Sequence, residues 1–320
     1  MEPIKIEGTK LECWENITDM ALLVVGSVAF DDISTPHGRA ENILGGSATY
    51  FSITASNFVP VRIVAVVGDD FGPDELAAFQ GRPIDTVGLE RTPGKTFRWR
   101  GEYNGDMNQA KTLETQLNVF QHFSPKIPAS YLGSEFVFLG NIDPSLQLHV
   151  RQQLPRARLV ALDTMNYWIQ GAPEELRKTL QAVDMLIINE GEARMLSGID
   201  NLRRAATEVL RLGPKALVVK RGEYGACLFQ NGSIFFAPGY PLEQVYDPTG
   251  AGDTFAGGFM GYLASCEEIN EANLRRGLIY GSVMASFAVE AFGLRRLQRV
   301  TSGEIQKRFQ EFKTMTHFDV

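Results

Sequence analysis

The sequence predicts an α/β chain: a mostly parallel central sheet with helices on both faces, three α/β/α layers in all, and a small antiparallel layer beside it. Three observations predict this. Short, wholly apolar runs recur along the chain and are followed by helical patterns, as expected of βα units that bury a parallel sheet on both faces. Two segments around residues 95–119 alternate apolar and polar residues with no helix between them, which marks strands with one wet face. The 320 residues, 44% of them hydrophobic, are enough for one large α/β domain, and no low-complexity linker or internal repeat divides them.

Taken in order, residues 1–19 read as an irregular extension or an edge strand. Residues 21–26 are the first buried strand, and Ser27 to Asp32 form its exit. Asp31 therefore stands beyond the carboxyl end of a strand, where open α/β sheets bind their ligands; a surface-turn aspartate is the plain alternative. Gly45 and Gly46 open a helix over 47–57, and a glycine pair there lets backbone amides reach a ligand unobstructed. Residues 61–67 are a second buried strand, followed by the turn Gly68-Asp69-Asp70-Phe71-Gly72 and a helix over 73–80. Residues 95–103 and 112–119 are the two alternating strands. Arg98 and Arg100 share one face of the first of these, with Trp99 on the other, and a solvated charged face suits both arginines. Strands then return at 136–141, 159–163, 185–189 and 216–220, with a helix after Pro144. A helix rich in small residues spans 274–290, and an amphipathic one closes the chain over 302–313.

The chemistry concentrates in Asp247-Pro248-Thr249-Gly250-Ala251-Gly252-Asp253-Thr254-Phe255, a loop that becomes a helix. Pro248, Gly250 and Gly252 break any preceding strand, and Phe255, Phe259, Tyr262 and Leu263 recur at helical spacing. The first amides of a helix have no intrahelical partner, and the dipole there favours negative charge, so this turn suits a phosphate. Asp253 puts a carboxylate where an anion should bind. It is either a helix N-cap or a group that faces the second reactant and takes a proton from it.

This run resembles the C-terminal signature of the ribokinase-like (PfkB-type) carbohydrate kinase family, Asp-x-Thr-Gly-Ala-Gly-Asp-x-Phe, without interruption. Leu44-Gly45-Gly46-Ser47 is similar to that family's N-terminal signature, Gly68 to Gly72 to its Gly-x-Asp-x-x-Gly turn, and Asn189-Glu190-Gly191-Glu192 to its Asn-x-x-Glu element. The resemblance implies a ribokinase-like sandwich, residues 1–320 as a single kinase domain, with a β-lid built from about 32–44 and 92–120. It implies an ATP-dependent kinase that transfers the γ-phosphoryl group to a hydroxyl of a small sugar or polyol. Asp253 would be the general base, with Gly250, Ala251, Gly252 and Asp253 itself supplying amides, and Asp31, Gly45, Gly46 and Asp253 holding the acceptor. Asn189, Lys220, Gly222, Gly225, Gly252 and Ser282 would line the nucleotide, and the start of the 281–291 stretch would pack beside adenine. Asn189 and Glu192 would hold Mg²⁺ through water, an ion that keeps most of its hydration shell, and Asp247 and Thr249 would hold K⁺. The lid would also be a homodimer clasp. Ala29 and Tyr50 replace asparagines of sugar-specific relatives, which counts against ribose itself. Phe30 and Tyr50 suit a nucleobase, so a nucleoside kinase is the alternative, with a non-catalytic sugar-binding relative as a third reading.

Composition removes other classes. A net charge of −7 and a pI of about 5.3 argue against a nucleic-acid partner gripped through its phosphates. Cys13, Cys227 and Cys266 are odd in number and lack metal-ligand spacing, so neither disulfide nor zinc is expected. His37, His122, His149 and His317 form no metal pair or triad. No stretch reads as a signal region or membrane span, so a soluble cytoplasmic enzyme without a membrane partner is expected.

Overall fold

The computed structural model describes residues 21–317 apart from residues 106 and 231. Residues 1–19, with Cys13 among them, lie outside the described residues. The chain runs β1 (Leu22–Val25), β2 (Ala29–Thr35), β3 (Gly38–Gly45), α1 (Ser47–Ala55), β4 (Val61–Val67), α2 (Pro73–Leu76), β5 (Ile84–Arg91), β6 (Phe97–Glu102) and β7 (Lys111–Gln116). It continues with β8 (Phe136–Leu139), α3 (Pro144–Gln153), β9 (Leu159–Leu162), α4 (Asn166–Gly171), α5 (Pro173–Leu180), β10 (Met185–Asn189), α6 (Glu190–Ser197), α7 (Leu202–Arg211) and β11 (Ala216–Lys220). The last elements are β12 (Ala226–Gln230), β13 (Ser233–Ala237), α8 (Ala251–Ala264), α9 (Glu271–Ala288) and α10 (Ser302–Thr316).

Nine strands form the large sheet in the order β13-β12-β11-β10-β9-β8-β1-β4-β5. From β5 to β11 every pairing is parallel, and β12 and β13 add an antiparallel edge. Alternate residues of β1 serve opposite faces, as the strand repeat requires. Leu22 and Val24 join the core under α1, α8 and α9, whereas Leu23 and Val25 join the core under α3, α5 and α7. Strand order reverses between β1 and β8: one half of the chain builds outward through β4, the other through β9. That switch point is where open α/β sheets hold ligands, and α8 packs there against both strands.

Helix α8 is buried on almost every side between α1 and α9. Its small residues allow this. A Cβ on Gly257 would come within 2.7 Å of the Phe51 carbonyl, and one on Gly258 within 2.8 Å of the Tyr280 carbonyl. The glycines thus cost helix propensity but let three helix backbones approach closely, which fixes the start of α8 relative to the sheet.

The second sheet has four strands in the order β3-β2-β6-β7. It differs from the sequence reading in one consequential way: Asp31 lies inside β2, pairing with Ile43 and Trp99, rather than in a turn after β1. Only three residues separate β1 from β2, so the chain steps directly from the large sheet to the small one. Helix α2 ends at Leu76 and continues as turns, short of the expected 80. Besides β2 and β3 in the expected lid segment, β5 and β12 escaped the sequence reading. β5 alternates exposed and half-buried residues, carrying Asp85, Thr86 and Gly88, and so lacks the apolar run that marked the others. β12 follows β11 with only a single 3₁₀ turn, Gly222–Tyr224, between. Among the described residues no helix is long and apolar enough to cross a membrane.

Candidate active site

The loop before α8 is shaped by one contact. Gly250 sits at φ 72, and a Cβ there would lie 2.4 Å from the ring of Tyr50, so both backbone angle and packing demand glycine. Tyr50 is 1% exposed and lies against the loop from α1. The Ala251 amide is spent on the Pro248 carbonyl at 3.1 Å, and the Thr254 amide on the Gly250 carbonyl at 2.8 Å. Among the described residues no backbone acceptor serves the Gly252 amide, which leaves it as the principal free donor of the nest.

Asp253, one position on, is half-buried at the mouth of this nest. Burial, with the nearby Asp163 carboxylate, pushes its carboxyl up to about 7, against the pull of Lys220. Three strand ends bring these groups together. Asp163 follows β9, Lys220 ends β11, and Glu192 lies on α6 just after β10. Lys220 Nζ lies 3.6 Å from Asp163 Oδ2 and 3.0 Å from the point a Cβ on Gly252 would occupy. Burial disfavours the ammonium, but Asp163, Glu192 and Asp253 together hold it charged. Glu192 is 8% exposed, and burial with the Asp163 charge raises it to about 7. Three carboxyl groups therefore surround one ammonium. Asn189 and Glu192 form a reciprocal cap, Asn189 Oδ1 accepting the Glu192 amide at 2.8 Å and Glu192 Oε2 accepting the Asn189 amide at 2.7 Å.

Asp31 marks the other side of the site. It is 4% exposed, and burial, reinforced by the charges of Asp247 and Asp253, pushes its carboxyl up to about 8 although the Gly46 amide donates to it. A Cβ on Gly45 would overlap Asp31 Oδ2, at 1.9 Å. Gly46, at φ 91, is held against the Ser27 carbonyl. The glycine pair thus makes room for the aspartate that faces it. Asp247 accepts the amides of Thr249 and Gly293, each at 2.9 Å, yet burial still raises its pKa. The Tyr103 and Thr249 hydroxyls are 3.2 Å apart, tying the end of β6 to the signature loop. The Tyr50 hydroxyl is buried with no partner among the described residues.

A cavity of about 720 Å³ opens on the opposite side of the nest, a size suited to a nucleotide. Asn189, Lys220, Gly222, Gly225, Gly252 and Ser282 all line it. Ser282 Oγ is buried there without a partner among the described residues. Sequence reasoning missed a contribution from the small sheet: Gly105, Met107 and Asn108 also line the cavity, and Asn108 Oδ1 fills the space a Cβ on Gly222 would need.

A family model described as pfkB family carbohydrate kinase matches residues 9–299. The chain belongs to the pfkB carbohydrate kinase family. It is 31% identical over 263 residues to a cytidine kinase of Thermococcus kodakarensis, covering 80% of this chain and 93% of that one. It is 26% identical to a nucleoside kinase of Methanothermobacter thermautotrophicus, covering 91% and 96%. Among solved structures, a putative ribokinase II from E. coli in complex with ATP and Mg²⁺ superposes with a TM-score of 0.74 at 19% identity, over 91% of this chain and 99% of that one. A Burkholderia thailandensis nucleoside kinase in complex with inosine gives 0.73 at 20%, over 91% and 97%.

The protein is thus a phosphotransferase with an alcohol group as acceptor, in a family of sugar and nucleoside kinases. Its residues fit a hydrated divalent cation better than a caged one. Among the described residues no group of three or more His, Cys, Asp or Glu side chains could hold a metal ion. The pocket nevertheless carries more carboxyl than ammonium charge around Lys220, which a cation arriving with phosphates would relieve. Asp163 went unassigned in the sequence. Its signal was available, because it closes an apolar strand run at the same sheet edge as Asn189 and Lys220.

Proposed function

We propose that this kinase transfers the γ-phosphoryl group of ATP to a hydroxyl of a nucleoside, with Asp253 as general base. The observation that carries the reading is the placing of Asp253 between two chemistries. The Gly252 amide, the α8 N-terminus and Lys220 lie toward the nucleotide-sized cavity, and Asp31 lies on the other side. The acceptor hydroxyl gives its proton to the Asp253 carboxylate, and its oxygen attacks the γ-phosphorus as the bond to the β-phosphate oxygen breaks. A base near neutrality combines a usable ionised fraction with proton affinity, and burial provides that here. Phosphoryl transfer depends mainly on positioning and charge stabilisation, which the Gly252 amide and Lys220 supply. Asp31 would accept hydrogen bonds from the acceptor's other hydroxyls, beside Gly45 and Gly46.

Mg²⁺ would offset phosphate charge, with Asn189 and Glu192 behind its water shell. K⁺ at the Asp247–Thr249 turn belongs to the same proposal, supported by the buried Asp247 carboxyl, whose raised pKa a monovalent cation would lower. A homodimer through the lid is proposed with it: the outer edge of β7 has no strand partner among the described residues, and Leu113 there is exposed. The buried free thiols Cys227 and Cys266 suit a reducing cytoplasm.

Nucleoside acceptors are favoured over free sugars by the likeness to the cytidine and nucleoside kinases across most of the chain. A sugar or polyol acceptor is the second reading, favoured by the Asp31–Gly46 pairing. Incubation with Mg²⁺·ATP and a panel of nucleosides, sugars and polyols, followed by ADP release and product mass, separates them. Phosphorylation of a nucleoside, cytidine first, is expected. Turnover confined to sugars or polyols transfers the conclusion to the second reading, and tight sugar binding without turnover would end the kinase proposal.

A further inference from the structure

We infer that Asp163 is a positioning residue of the phosphoryl-transfer site, holding the Lys220 ammonium beside the Gly252 amide and away from Asp253. The inference rests on the phosphoryl-transfer reading above. It starts from three enclosed groups, Asp163, Glu192 and Lys220, that follow or end the neighbouring strands β9, β10 and β11. Asp163 is 7% exposed, and its backbone is fixed twice, the amide donating to the Leu139 carbonyl at 2.9 Å and the carbonyl accepting Gln147 Nε2 at 2.9 Å. Gln147 is fully buried and also donates to the Gly140 carbonyl. Asp163 Oδ1 accepts the Thr164 amide at 2.9 Å, which sets the plane of the carboxylate. Only Oδ2 remains, and it faces Lys220 Nζ at 3.6 Å. The aspartate is thus held by backbone and by its own helix-side neighbour, so the flexible partner in the pair is the lysine.

A lysine needs such a partner here. Its four-carbon stem rotates freely, and its ammonium is a point charge without the fixed fork of a guanidinium. Asp163, Glu192 and Asp253 all act on it. Glu192 is occupied in the reciprocal cap with Asn189, and Asp253 is the group that must stay free to take a proton. Without Asp163 the ammonium would settle on Asp253, neutralising the base and leaving the Gly252 amide alone at the arriving phosphate. With Asp163 in place, Nζ stands 3.0 Å from the position of an added Gly252 Cβ. It can therefore meet the same phosphoryl oxygen as that amide. Asp163 touches neither reactant in this scheme; it acts through Lys220.

The test compares Asp163→Asn, Lys220→Met and the double variant with the wild type, by calorimetry and by kinetics. Calorimetry uses ADP and a non-hydrolysable imido analogue of ATP with Mg²⁺, so it needs no turnover. A positioned ammonium makes the wild type prefer the analogue over ADP. Asp163→Asn is expected to reduce that preference by about fivefold or more, as for loss of a charge-assisted contact. Lys220→Met should reduce it equally, and the double variant no further. In turnover, kcat should fall about tenfold or more in both single variants while KM for the acceptor alcohol stays within about twofold, the signature of an interaction made in the transition state. Asp163→Asn removes the fixed partner of a largely enclosed ammonium and could fail to fold; Lys220→Met and the double variant lack that ammonium, and their comparison then decides. Equal behaviour supports the inference. A double variant clearly worse than Lys220→Met, an unchanged analogue-to-ADP preference in Asp163→Asn, or a rise in acceptor KM alone would overturn it. A wild type that binds both nucleotides but phosphorylates nothing would sink the functional reading while the calorimetry still judges Asp163.

Discussion

The two halves of the proposed site, one for the nucleotide and one for the acceptor, are built differently. The nucleotide half rests on the large sheet: Asn189 and Lys220 end adjacent parallel strands, and Gly252 lies in the first turn of a helix enclosed by α1 and α9. The acceptor half rests on the small sheet: Asp31 is carried by β2, and Tyr103 reaches Thr249 from the end of β6. The first half is held by the main core. The second reaches that core through Phe30 of β2 and Leu44 of β3 and is further tied by polar contacts, such as the Tyr103–Thr249 contact and the Thr35 hydroxyl donating to the Tyr246 carbonyl at 2.9 Å. Charge divides the halves too. Lys220 balances carboxylates on the nucleotide side, whereas Asp31 meets further acidic groups and only amide donation from Gly46 opposes them. A partly neutralised half suits a phosphate donor, and an acid-lined half suits an acceptor that carries hydroxyls.

The contrast can be broken most directly at the base. Asp253→Asn should lower kcat by about 10²- to 10⁴-fold, the usual range for a lost general base, with nucleotide affinity nearly unchanged in a calorimetric titration. Near-normal turnover would remove Asp253 from that role. Gly250→Ala comes next. Its Cβ would collide with a buried tyrosine ring at positive φ, so about 1–3 kcal/mol of stability should be lost, seen as an earlier thermal or urea transition. Gly252→Ala would meet only the mobile end of Lys220 and should unfold close to wild type while turning over poorly. Equal destabilisation of the two would contradict the packing account of the nest.

Asp31→Asn should raise acceptor KM by about fivefold, as for loss of one neutral hydrogen bond, and leave nucleotide affinity alone; a matching loss of nucleotide affinity would join the halves rather than separate them. The smallest expected effect is on pH dependence. Asp31, Glu192 and Asp253 are raised to about 8, 7 and 7 in the folded protein. In the unfolded chain they ionise at ordinary carboxylate values, so their contribution to stability is full below about pH 4. It is lost as pH rises through about 7 to 8. The ligand-free melting temperature should therefore slope downward across that window through these groups, and Asp31→Asn should flatten the slope. A slope unaltered in that variant would mean Asp31 is ionised in the folded protein at neutral pH.

The nucleotide half was the more legible in sequence for a physical reason. Its residues sit at the ends of continuous apolar runs or inside one local turn, so strand period and helix-start chemistry locate Asn189, Lys220, Gly250 and Asp253 without knowing what packs on what. The acceptor half depends on pairing between distant strands. β2 reads as the tail of β1 until its ladder with β6 is seen, and β5 has no apolar run to announce it. Asp163 shows the same limit within the legible half: its strand end is visible, but its partner lies 57 positions away, at Lys220.

By itself the sequence determined the alternation of buried strands and helices, the glycine-rich turn that opens α8, and the carboxylate that follows it, because hydrophobic period and glycine placement are local properties. Tertiary structure alone decided that Asp31 rides on a second sheet, that the ring of Tyr50 demands glycine at 250, and that Asp163, Glu192, Lys220 and Asp253 share one poorly solvated space. Those outcomes depend on distances between chain segments far apart in sequence, and the raised carboxyl pKa values follow from the low polarity and like charge that such distances create.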